Sequence, residues 1–221
     1  MDVRITLFTA WLALFTAPIA LVIGHLGMHN FSWIRNQIST YAALAPNGDW
    51  ITAGMLLAAL ALLCLGISIS FRRAFGSKVL SHIASMVFGI AVSGLLILAY
   101  FRETAMNMQQ LKKMGFEAVR QQTFHDAGLL LFFYSSVLAM VISGLVVVWQ
   151  GSSWARRVLG GVIAATGPAA YAALITSWPR YAGFSGMDVG VRQRGAFLCL
   201  WVGALLLLAL VTKTSVKHNG S

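Results

Sequence analysis

The chain has 221 residues, 58% of them hydrophobic and only 10% charged, with a net charge of +10 and a mean hydropathy of +0.78. Soluble domains carry about 25% charged residues, so this composition excludes an ordinary soluble fold, and the length leaves room for one helical bundle with no soluble domain beside it. The basic residues cluster at the edges of apolar stretches rather than along a soluble face, which argues against nucleic acid as a partner.

Six apolar stretches follow one another. The first, Ile5–Leu26, is longer than the roughly 7–15-residue apolar core of a secretory signal and has no clean small-residue cleavage site after it, so it reads as a retained first helix. Pro18 lies in its middle and predicts a kink. Ile51–Phe71 and Val79–Phe101 come next. Thr104–Phe124 is then amphipathic: Leu111, Met114, Ala118 and Val119 recur at helical spacing among Lys112, Lys113 and Arg120, which suits a short interfacial helix broken at Gly115. Ala127–Trp149 is the fourth stretch and Val158–Trp178 the fifth. Gly160, Gly161, Ala164, Ala165, Gly167, Ala169 and Ala170 give the fifth the small residues that let helix backbones approach closely, and Pro168 predicts a second kink. Gly195–Thr212 is the sixth.

Each stretch has about the 17–25 residues needed to cross a hydrocarbon core of roughly 30 Å, and none has Asp, Glu, Lys or Arg well inside it. The prediction is an all-α polytopic membrane protein, a single six-helix transmembrane bundle over residues 1–221. Cys64 and Cys199 fall at depths of roughly 20 Å and 6 Å from the same face, at 1.5 Å per residue. That is too far apart for a disulfide, so both read as small packed apolar residues.

Six spans place both termini on one side. That side carries eight Lys and Arg, in the tight loops Arg72-Arg73…Lys78 and Arg156-Arg157 and near the ends at Arg4, Lys213 and Lys217; the other side also carries eight, diluted by five acids over long connections. Short basic loops weigh most in the positive-inside rule, which makes the termini cytoplasmic and the connections 27–50, 102–126 and 179–194 outward-facing. Trp33, Trp50, Trp149, Trp154 and Trp178 lie at predicted boundaries, where aromatic side chains anchor helices.

Three outward segments carry a resemblance. They are Phe31-Ser-Trp-Ile-Arg35-Asn36-Gln-Ile38-Ser39-Thr-Tyr41, then His125-Asp126-Ala-Gly, and Gly190-Val-Arg192-Gln193-Arg194 followed by Trp201. Together with the six-span layout, they resemble the DUF998 family of bacterial membrane proteins, which has no established activity. The Ile-Ser motif also carries a weaker echo of the Frag1/DRAM-like six-span proteins. Two departures stand out. Gln193 occupies the position where the family pattern has glutamate, and Arg102 closes the third stretch where the family often has aspartate. The resemblance implies a six-helix fold and a bacterial inner-membrane location, and it implies no reaction.

Two sets of residues on the outward side have the chemistry for a site. Asn36, Ser39, His125, Asp126, Arg192 and Arg194 would form a polar mouth over apolar helices, with arginine forks suited to phosphate or carboxylate and a histidine able to exchange a proton. Each also has a structural reading: Ser39 as the cap of a short helix, His125 or Asp126 as the cap of helix four, Arg194 as the ion-pair partner of Asp126 or Asp188. His25 and His29, four apart, with His125 at a similar level, would suit zinc or a haem.

Three functions stay open on this reading. The leading one is binding of a lipid or amphiphilic small molecule in an outward pocket, for transfer, sensing or transport, with no cofactor expected. The second is a zinc- or haem-dependent membrane enzyme built on His25, His29 and His125. The third is a partner-binding membrane subunit.

Overall fold

A computed structural model describes residues 2–26, 38, 42, 47–72, 75–103, 113, 115–177 and 189–217. The described residues form six helices: α1 (Val3–His25), α2 (Gly48–Arg72), α3 (Lys78–Tyr100), α4 (Phe116–Gln150), α5 (Trp154–Ser177) and α6 (Val189–Lys217). All six are long and apolar enough to cross a membrane, and no strand occurs among the described residues.

The helices follow from an inside-out pattern that α1 displays most clearly. Its buried positions are mostly small or polar, with Thr6, Ala10, Ala13, Ala17, Ala20 and Gly24 among them. Ile5, Phe8, Leu12, Phe15, Ile19, Val22 and Leu26 are large and exposed, recurring at three- and four-residue intervals. In water this would be an aggregating surface. In lipid the tails are as apolar as leucine, so large side chains face outward and small ones let helices approach. The Asp2 carboxylate accepts the Arg4 N–H at 2.8 Å and caps α1, and the Ser77 hydroxyl caps α3.

Consecutive helices pack along their lengths, α1 on α2, α2 on α3, and so on to α6 on α5, whereas α6 touches α1, α2 and α4 only sparingly. Backbones approach closely where α4 crosses α5. A Cβ added at Gly160 would lie 2.7 Å from the Val148 nitrogen and 2.8 Å from the Gly144 carbonyl oxygen, so backbone meets backbone there. Gly161 has open space around it, so only one of the two adjacent glycines serves the contact.

Helix α4 corrects the sequence expectation. It begins at Phe116, after Gly115 at φ +97°, and runs 35 residues without interruption. At 1.5 Å per residue it is roughly 50 Å long and overshoots a 30 Å hydrocarbon core by several turns. The amphipathic residues from Phe116 to Phe124 are therefore the projecting start of a spanning helix and not a separate interfacial one. Gly115, the expected breaking point, has a left-handed φ that suits glycine, and α4 starts directly after it; residues 104–112 and 114 of the expected interfacial helix lie outside the described residues. His125 and Asp126 sit nearly three turns inside α4 and do not cap its start.

Trp50, Trp149 and Trp154 are exposed at helix ends, as expected of interfacial anchors, while Trp33 and Trp178 lie outside the described residues. Cys64 and Cys199 are both free thiols, one in α2 and one in α6.

Candidate functional site

The loose fit of α6 against α1, α2 and α4 leaves a cavity of about 540 Å³ among these helices, within the range of small-molecule sites. Its wall on α1 runs from Leu14 to Leu26, about 18 Å at 1.5 Å per residue. Gly54, Met55, Ala58 and Leu62 of α2, Leu95 of α3, Phe132, Ser136 and Met140 of α4, and residues of α6 from Arg194 to Ala204 complete it. Phe197 stacks on Phe132 with ring centroids 5.4 Å apart and meets Phe133 edge-on, which holds α6 to α4 at this level. Val22, Leu26 and Leu198 line the cavity and are also largely exposed, so it reaches the protein surface between α1 and α6.

Polar groups gather at one end of this apolar space. Arg194, in the second turn of α6, directs Nη2 to His25 Nε2 at 2.7 Å. His25 Nδ1 lies 2.5 Å from the Leu21 carbonyl oxygen, to which it can only donate. Nε2 therefore carries the lone pair that accepts from Arg194, and the imidazole is the neutral Nδ1–H tautomer. Both ring nitrogens are engaged, and neither offers a lone pair to a metal in this arrangement. Among the described residues no three His, Cys, Asp or Glu side chains come together as a metal site.

The other members of the predicted site divide. His125 is 3% exposed, and its Nδ1 donates to the Phe101 carbonyl at 2.7 Å, satisfying the end of α3. The Asp126 carboxylate accepts from Gln122 Nε2 at 2.9 Å along the same helix. Neither lines the cavity, nor does Arg192, which is half-buried on the first turn of α6. Asn36, Ser39, His29 and Asp188 lie outside the described residues. Of the predicted set, then, Arg194 and His25 meet at the cavity, while His125 and Asp126 belong to the polar belt around the ends of α3 and α4. Arg102 extends that belt, reaching the Asp49 carboxylate at 2.5 Å and the Ala42 carbonyl at 3.5 Å. Gln121 Nε2 donates to the Arg102 carbonyl at 2.8 Å.

Gln193 is 4% exposed and accepts the Ile38 backbone N–H on Oε1 at 2.8 Å. Ile38 lines the cavity, so this bond fixes one of its walls to α6. An amide satisfies the buried N–H without bringing a carboxylate charge into an apolar wall, which would cost several kcal/mol or force protonation.

Sequence reasoning missed the roles of two groups. The first is Trp201, whose Nε1–H donates to the Leu14 carbonyl at 2.9 Å. Pro18, four residues beyond Leu14, has no N–H, so the ordinary helical partner of that carbonyl is missing. Trp201 supplies the replacement donor from α6. With Trp11 Nε1 donating to Thr212 Oγ1 at 3.2 Å, and Arg194 on His25, hydrogen bonds at three levels join α1 and α6 where they pack sparingly. The second is Ser136, 1% exposed, lining the cavity, with no hydrogen-bond partner for its Oγ. The vacant carbonyl before Pro18 was a signal in the sequence, but the identity of its donor was not, and Ser136 gave none.

A family model described as "Protein of unknown function (DUF998)" matches residues 11–210 of the chain. No curated protein and no solved structure matches it.

Proposed function

We propose that this chain, a membrane protein that belongs to the DUF998 family, binds a membrane amphiphile in the cavity between α1, α2, α4 and α6. The head group sits at Arg194 beside His25 and the apolar tail runs inward along α1. On this reading it sits in a bacterial inner membrane with this end outward, which the charge distribution supports, and acts in transfer, sensing or transport of its ligand.

One observation carries this reading: among the described residues, one guanidinium, that of Arg194, stands at the end of a 540 Å³ space whose walls are otherwise almost entirely apolar. Arg194 meets a neutral imidazole there, and a carboxylate or phosphate is a stronger acceptor for the same fork. The opening between α1 and α6, rimmed by Val22, Leu26 and Leu198, gives a ligand dissolved in the bilayer a way in that avoids water.

Native mass spectrometry of the full chain, extracted in a mild detergent, tests this. The expected spectrum shows an anionic amphiphile adduct that is lost in Arg194→Ala and kept in His125→Ala, because His125 serves the α3–α4 seam. A bare wild-type protein, or an adduct indifferent to Arg194, overturns the proposal. A zinc- or haem-sized adduct lost on His25→Ala replaces it with the metal-dependent reading.

A further inference from the structure

We infer that the ligand is a single-chain amphiphile with a second hydrogen-bonding group partway along its tail, held by Ser136. This rests on the amphiphile reading above and says which member of that class the cavity selects.

Three serines of the described residues, at positions 68, 136 and 143, have buried hydroxyls without a partner, and of these only Ser136 lines the cavity. Burying a hydroxyl in an apolar interior without a hydrogen bond is costly, and helical serines usually avoid that cost by bonding to a carbonyl one turn back. Ser135 does so, reaching the Leu131 and Phe132 carbonyls. Its neighbour Ser136 lies within reach of the same local solution and does not take it. A cavity occupant with a hydroxyl or carbonyl at this level supplies the missing partner.

The position of Ser136 sets where on the ligand that group lies. Phe197 on α6 packs against Phe132 and Phe133 on α4, which puts these residues at one depth. Arg194 is about one turn nearer the His25 end and Ser136 about one turn deeper, so the two are separated along the bundle by roughly 10 Å. The second polar group therefore falls near mid-chain, well away from the head group. The cavity's volume, at the middle of the small-molecule range, suits one chain better than two.

The test uses two probes: octadecanoate, and the same chain with a hydroxyl at mid-length. Dissociation constants are measured for both with the full chain in detergent, as wild type, Ser136→Ala, Ser136→Thr and Arg194→Ala. Wild type is expected to favour the hydroxylated probe over the plain one by about threefold to tenfold, the worth of a neutral hydrogen bond. In Ser136→Ala the preference disappears or reverses, while the plain probe binds as before. Ser136→Thr, which keeps the hydroxyl, restores it. A misfolded variant would weaken both probes together and leave their ratio unchanged. If both probes bind in an Arg194-dependent way with the same ratio in wild type and Ser136→Ala, the inference falls and the amphiphile reading stands. If neither binds wild type, or Arg194→Ala changes nothing, the amphiphile reading itself falls and takes the inference with it.

Discussion

Gly160→Leu is expected to prevent stable docking of α5 on α4, while Gly161→Leu, one residue away, leaves the protein intact. A side chain at position 160 has to enter a space where its first atom would already lie 2.7 Å from the Val148 nitrogen and 2.8 Å from the Gly144 oxygen. Both neighbours are helix backbone and cannot rotate aside, so the helices must separate. Overpacking against movable side chains costs about 1–3 kcal/mol; rigid backbone on both sides puts this substitution at about 3 kcal/mol or beyond. At position 161 nothing lies within 4 Å of the added Cβ, so the leucine points away from the crossing. The intrinsic helix gain over glycine, roughly 0.8–1 kcal/mol, is the same at both sites and cancels in the comparison. Thermal unfolding and size-exclusion profiles in detergent measure the difference. Equal behaviour of the two variants would show that α4 and α5 do not meet at Gly160.

The second large effect concerns the bond between Trp201 and Leu14. Trp201→Phe keeps the aromatic bulk but leaves the Leu14 carbonyl in an apolar setting with neither a helical nor a tertiary donor. An unsatisfied buried acceptor costs about 1–3 kcal/mol, with hydrogen bonds between transmembrane helices at the lower end of that range. Pro18→Ala changes the outcome. An alanine at 18 has an N–H aimed at the Leu14 carbonyl, so the same Trp201→Phe substitution should then cost much less. A double-mutant cycle on unfolding free energy reads this coupling directly. Additive effects of the two substitutions would mean that Trp201 does not stand in for the donor that Pro18 lacks.

Part of the candidate site was legible because polar side chains at the ends of apolar stretches are conspicuous. Arg194 stood out within an outward motif for its guanidinium fork and His25 for its four-residue spacing from His29, in two separate candidate sets, and the two meet. Their pairing was not legible. From the sequence, Arg194 had Asp126 or Asp188 as candidate partners, and His125 was equally placed to share the pocket. The structure gives His125 to the Phe101 carbonyl and Asp126 to Gln122, because α4 starts eleven residues before the predicted span, carries His125 into the α3–α4 seam and sets Asp126 one turn after Gln122 on the same helix. Length was misjudged there for a physical reason: the projecting part of α4 is amphipathic, and hydropathy marks only what lies in the hydrocarbon.

By itself the sequence determined the six spans, their all-helical character and the small-residue run in α5. Each of these answers to a local demand: backbone polar groups in lipid must be bonded within their own helix, and every residue of a long stretch contributes to the same signal. Tertiary structure alone decided which glycine of the Gly160-Gly161 pair faces α4, which donor replaces the missing N–H of Pro18, and that α6 stands off from α1, α2 and α4 to leave a cavity. These depend on helix rotation and spacing. Rotation turns neighbouring residues about 100° apart, and in a chain with apolar residues on every side no hydrophobic face is there to announce the choice.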